Sequence, residues 1–155
     1  VTADGGIGSF REEIRAVRAY ADINQQQLGD RLHMVYEIPD VDFPIPLLTI
    51  QPIVENAIFY SLKEDKVCHI RIKSYMDQGN LCVSVKDDGV GMDAEKISTV
   101  LNKDMNINKV GIKNVNERLK LNFGDVYGLK IISEEGRGTE VILVMPSTTE
   151  RKRLR

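Results

Sequence analysis

Residues 47–62 read LLTIQPIVENAIFYSL. Apolar side chains recur at Ile50, Ile53, Val54, Ala57, Ile58 and Leu62, the three-and-four spacing of a helix with one buried face. Glu55, Asn56, Phe59 and Tyr60 fall on or near the other side. A carboxylate and an amide beside an apolar seam can hold a metal ion or the water around a phosphate. They equally suit an ordinary solvated helix face, so this helix by itself leaves both readings open. Pro52 is harmless if Thr49 caps the helix, but would kink a helix already begun at Pro46. Three glycine-marked stretches downstream weigh towards a site: KDDGVGM at 86–92, VGIKN at 110–114 and GRGTE at 136–140. Each adjoins a strand or helix signal, and packing alone does not require three glycine punctuations of different kinds.

Working outward from this helix, residues 1–8 are glycine-rich and read as a loose leader. Ser9 starts a helix, with Glu12 completing a capping box. Phe10, Ile14, Val17, Ala21 and Leu28 form its apolar stripe, and Glu13, Arg18, Asn24 and Gln25 its polar face. Gly29 and Asp30 end it. Residues 31–38 alternate as a half-buried strand, and Pro39, Pro44 and Pro46 make a stiff connection to the central helix. Beyond that helix, residues 67–76 and 81–85 read as an antiparallel hairpin running into Asp87 and Asp88. Residues 94–101 and 112–123 are helical, and 129–133 and 140–145 are two closing strands. Paired strands with grouped helices between them indicate an α/β fold, an α+β two-layer sandwich with a mixed, mostly antiparallel sheet and helices on one face.

The chain has 155 residues and a net charge of −2, which suits one domain with a real core. Its charges are interspersed, so neither nucleic acid nor a membrane surface is indicated as a partner. The basic run Arg151, Lys152, Arg153 and Arg155 within 148–155 reads as a frayed, solvated tail. Cys68 and Cys82 lack CxxC spacing and read as small buried hydrophobes of a reducing compartment.

The motifs suggest a chemistry. Asp87 ends a buried strand and is followed by Gly89 and Gly91, a fixed acceptor beside backbone that a ligand can approach closely. It suits the exocyclic amine of a purine, or simply a turn after a strand. Gly111 precedes a helix whose first N–H groups can bind anionic oxygens, with Lys109 and Lys113 adding charge. The GRGT turn is a hairpin by itself, and its glycines equally leave room for the phosphate loop.

VENAI (54–58), DDGVG (87–91), VGIKNVNERLKLNFG (110–124) and GRGTEVILVMP (136–146), in that order and spacing, resemble the catalytic ATP-binding domain of sensor histidine kinases. That fold is the Bergerat type of gyrase-type topoisomerases and mismatch-repair ATPases. IQP ahead of VENA and NVNERLKLNFG point to the LytS/YesM-like branch, and the resemblance runs from about Ser9 to residue 147. It implies ATP and Mg2+ as cofactors. Asn56 would coordinate the magnesium that bridges the phosphates, and Glu55 would polarise the attacking group. Asp87 would take the adenine amine, with Gly89 and Gly91 lining the purine pocket, Tyr60 near the nucleotide and Thr139 on the adenine side. Residues 101–110 would form a lid with Gly111 at its hinge and phosphate end. Chemically this is phosphoryl transfer by positioning and charge neutralisation.

The chain departs from the family at Lys109, where relatives carry glycine, and at Phe59, where Lys or Arg is common. Lys109 can replace the cation missing at Phe59. The acceptor-histidine motif is absent, and His33 and His69 read as structural or surface residues. The resemblance therefore implies a catalytic piece acting on a histidine of its own upstream dimerisation domain, with a response regulator next in the relay. The whole would be a membrane-anchored homodimer and this piece its soluble cytoplasmic part. Two alternatives share the fold: a degenerate Bergerat module without catalysis, and a serine kinase of the anti-sigma-factor type.

Overall fold

The computed structural model describes residues 6–62, 66–102 and 111–153. Its central hairpin is β4 (Cys68–Asp77) and β5 (Asn80–Asp87), in register from Asp77↔Asn80 to Ile70↔Asp87. The loop between them is Gln78–Gly79, both with positive φ (51° and 82°), the turn that matches the right-handed twist of the strands. β2 (Leu32–Glu37) joins β4 in parallel. β7 (Gly138–Pro146) joins β5, and β6 (Gly128–Glu134) joins β7, both antiparallel. The sheet order is β2-β4-β5-β7-β6, the mixed, mostly antiparallel sheet that the pairing of strands indicates.

On one face of this sheet Ile70, Ile72, Val83, Val85, Val141, Leu143 and Met145 are buried. They pack with the apolar stripes of α1 (Phe10–Leu28), α2 (Ile50–Ser61) and α4 (Ile112–Phe123) in one core. α3 (Ala94–Asn102) contributes Val100. Cys68 and Cys82 are free and buried. α2 begins after Thr49, so Pro52 lies in its first turn, where it removes no intrahelical bond.

Four local readings need correction. Ile7 and Gly8 are not leader: they begin β1 (Ile7–Ser9), which pairs antiparallel with β3 (Pro44–Pro46) inside the supposed connection. Phe10 and Phe43 stack behind this ribbon at 4.4 Å. Glu13 is not on the solvated face of α1. It is only 6% exposed, and its carboxylate accepts the N–H groups of Thr49 (3.1 Å), Leu48 (3.3 Å) and Ile50 (3.4 Å). A side chain from another helix thus caps α2, whose own Thr49 hydroxyl is turned to the Pro46 carbonyl. Glu13→Ala should lower the unfolding free energy by about 2 kcal/mol, as for loss of a buried cap, read from the urea midpoint.

The basic tail is not frayed at Arg151 either. Residues Thr148–Arg153 form α5, and the Arg151 guanidinium lies 4.6 Å over the Phe123 ring. Its Nε donates to the Pro146 carbonyl at 3.0 Å, and Nη1 donates to the carbonyl of Pro44. The end of β7 is thereby tied to α4 and β3.

Candidate functional site

Between α2, α3, the start of α4 and the ends of β5 and β7 lies a cavity of about 260 Å³. Asn56 and Tyr60 line it from α2, one helical turn apart. Asp87 and Gly91 line it from the end of β5 and the loop beyond, and Thr139 from β7. The register that pairs Asp87 with Thr139 across β5 and β7 brings the last two together. The walls are apolar, with Ile53, Ala57, Val85, Met92, Ile112 and Val141, as suits a planar base.

The other sequence candidates stand around this space. Gly89 donates its N–H to Asp87 Oδ1 at 2.9 Å, so it shapes the carboxylate rather than the cavity wall. Gly111 is the N-cap of α4, directly before the wall residue Ile112, with its first-turn N–H groups beyond the reach of intrahelical acceptors. Glu55 is not among the lining residues. One position along the helix turns it by roughly 100° from Asn56, and its charge is felt instead by Tyr20 of α1, whose phenol is raised first by burial and then by Glu55. Lys109 lies outside the described residues, as do 103–110 of the expected lid. Lys96 of α3 lines the cavity and was not singled out from sequence. The available signal was Asp93, whose carboxylate accepts the Lys96 N–H at 2.8 Å and so sets the phase of α3.

Two loops are knitted together to hold Asp87. Gly136 N–H donates to the Val90 carbonyl at 2.7 Å, and Met92 N–H to Ser133 Oγ at 2.7 Å. Ser133 Oγ in turn contacts Thr139 Oγ1 at 2.8 Å. A Cβ on Gly138 would meet the Asp87 carbonyl oxygen at 2.1 Å, and one on Gly91 the Glu134 carbonyl oxygen at 2.0 Å. The glycine turn therefore leaves room for the Asp87 loop. Asp88 points elsewhere: it accepts the His69 backbone N–H at 2.9 Å and lies 2.6 Å from His69 Nδ1. His69 stacks on His33 at the exposed strand ends.

The Asp87 carboxyl is pushed up to about 6, chiefly by burial and against the lowering effect of the Gly89 and Thr139 N–H groups. Near neutrality it is a charged acceptor held in an apolar cleft. Among the described residues there is no group of three or more His, Cys, Asp or Glu able to hold a metal ion. The single amide of Asn56 suits a hard cation that arrives already bound to phosphate oxygens and water.

A fold of this topology, with a carboxylate, an amide and a glycine-started helix around one cleft, defines a nucleotide-binding domain. The chain belongs to the family of histidine kinase-, DNA gyrase B- and HSP90-like ATPases, whose sequence model matches residues 45–149. Its relatives include the sensor histidine kinase YesM of Bacillus subtilis, 35% identical over 147 residues. They also include the sensor histidine kinase YpdA of Escherichia coli, 36% identical over 140 residues. These alignments cover 93% and 89% of this chain but only 25% and 24% of the relatives. The chain thus spans about a quarter of their length. Among solved structures, the catalytic domain of the histidine kinase ThkA superposes with a TM-score of 0.70 at 16% identity, covering 94% of this chain and 99% of that one. A blue-light activated histidine kinase from Erythrobacter litoralis gives 0.65 at 18% identity, covering 89% and 62%. At such identities the likeness shows the Bergerat-type fold. Among the described residues no helix is long and apolar enough to cross a membrane.

Proposed function

We propose that this chain is the ATP-binding catalytic domain of a two-component sensor histidine kinase. The observation that carries it is the convergence of Asn56, Tyr60, Asp87, Gly91 and Thr139 on one cleft beside the start of α4. In this reading Asp87 accepts the adenine amine, Thr139 flanks the same edge, and Met92, Ile112 and Tyr60 enclose the ring. Asn56 faces the phosphates, and the first-turn amides of α4 after Gly111 receive their oxygens. Magnesium, when bound with the nucleotide, neutralises charge on the phosphates, and Asn56 is the residue that would hold it. Gly89 acts through Asp87, and Lys109 supplies charge near the phosphates. Glu55, facing α1, is assigned no contact with the nucleotide.

The phosphoryl group then passes to a histidine of the upstream dimerisation domain and on to a response regulator. The whole protein is a membrane-anchored homodimer with this domain in the cytoplasm. The family match and the sensor-kinase relatives favour this over a serine kinase or a non-catalytic module.

Calorimetry with a non-hydrolysable ATP analogue tests the reading. Saturable binding that tightens with magnesium is expected, and no detectable heat at millimolar nucleotide overturns it. Asn56→Ala should abolish the magnesium dependence, lowering affinity in excess magnesium by about tenfold, while binding without magnesium stays as it was.

A further inference from the structure

α2 ends at Ser61, a polar residue that is only 3% exposed. Its hydroxyl oxygen is buried and completes no hydrogen bond among the described residues. A buried hydroxyl without a partner is destabilising, and apolar alternatives such as Ala would fit the end of a helix equally well. The surroundings suggest what the hydroxyl serves. A Cβ built on Gly89 would meet Ser61 Oγ at 3.0 Å and Asp87 Oδ1 at 3.1 Å. The two oxygens therefore flank the same α-carbon, within reach of one bridging water. Gly89 keeps that space open, since any side chain there would press on both atoms.

Burial opposes the charge of Asp87, and the Gly89 N–H at Oδ1, the Thr139 N–H and the Ser61 hydroxyl act against that rise. Titratable groups on the surrounding elements are Cys68, Asp88, Tyr60 and Lys96. Cys68 of β4 has its thiol raised to about 11 by burial, with Ser61 opposing that rise. Asp88 repels and is itself paired with His69. Tyr60 and Lys96 share the cavity from α2 and α3.

We propose that Ser61 is a positioning residue of this site, its hydroxyl donating to the Asp87 carboxylate, by rotation or through one water, and holding it charged and aimed at the adenine amine. The proposal deepens the nucleotide reading and rests on it. It explains a buried polar group at the base of the cleft that contacts no cavity space itself.

The experiment is a carbon-13 NMR titration of the Asp87 carboxyl in the ligand-free chain, for the parent, Ser61→Ala and Ser61→Thr, with thermal unfolding to check that each is folded. Ser61→Ala should move the midpoint up by about one pH unit, a tenfold change in proton affinity, and Ser61→Thr should restore it. With ADP as probe, the pH at which affinity falls by half should move by the same amount. An unmoved midpoint in Ser61→Ala, or a Thr variant shifted as far as the Ala one, overturns the proposal. Should the parent bind no ADP while the NMR midpoint moves, the nucleotide reading fails and the Ser61–Asp87 coupling stands.

Discussion

Asp87→Asn should weaken adenine-nucleotide binding roughly 100-fold while leaving the unliganded domain more stable than the parent at pH 7. Both halves follow from the same burial. Asp87 Oδ1 already accepts the Gly89 N–H, so an asparagine that keeps this bond presents its NH2 to the cleft. That group would face the adenine amine, donor against donor, where the carboxylate had an acceptor. In the free domain the carboxyl is raised from 3.8 to about 6. The folded state thus binds the proton more tightly than the unfolded one, and stability falls as pH rises between these values. Two pKa units correspond to about 3 kcal/mol at most. Asn removes that cost, so its advantage should be absent below about pH 4 and complete above about pH 7. Urea unfolding across this range reads the stability half, and calorimetry reads the other. Parent affinity should decline as pH falls through the region of the folded midpoint, and the weak binding of the variant should stay flat. Equal affinities at neutral pH would remove Asp87 from the site.

Gly138→Ala should be strongly damaging, costing about 3 kcal/mol or more. Its φ is +96°, and the new Cβ would sit 2.1 Å from the Asp87 carbonyl oxygen and 2.8 Å from the Asp88 α-carbon. Both contacts are with backbone, so no side-chain rotation relieves them, and the β5–β7 pairing at Asp87↔Thr139 must give way. Gly136 in the same turn is the control. It also has a positive φ, +80°, but a Cβ there would meet nothing within 4 Å among the described residues. Gly136→Ala should therefore cost only the conformational penalty, about 1 kcal/mol. Comparable urea midpoints for the two variants would show that the approach to Asp87 is not tight. Gly138→Ala should also lose nucleotide affinity beyond what partial unfolding explains, because the displaced backbone carries the carboxylate proposed to bind adenine.

The elements were legible in the chain because their signals are local. The Ser9 cap, the turn from Asp77 to Asn80 and the apolar spacing of 50–62 each depend on residues within one or two turns. The cleft residues Asn56, Asp87, Gly91 and Thr139 could be singled out for a different reason. Their residue types match a family pattern, and nothing in periodicity would have placed them in one cleft. Glu13 illustrates the opposite case. Its charge assigned it to the polar face of α1 although it borders the apolar stripe, and only the packing of α1 against the turn before α2 puts three N–H groups in front of it. Arg118 does the same from α4, donating to the Leu47 and Leu48 carbonyls at 2.6 and 2.9 Å. Arg151 and Ser61 were likewise illegible, because a cationic tail and a helix-terminal serine look solvent-exposed until another element closes over them.

By itself, then, the amino-acid order determined the principal helices and strands, though not β1, β3 or α5, the mixed sheet they build, and the residue types available for binding a purine and its phosphates. The tertiary structure alone decided which polar groups leave water. It buried Asp87 where its charge is costly, turned Asn56 inward and Glu55 away, and set Gly138 against the Asp87 backbone. The physical reason is that helical and strand preferences are short-range sums along the chain. Desolvation depends instead on which distant segments meet, and for Asp87 that meeting is the pairing of β5 with β7.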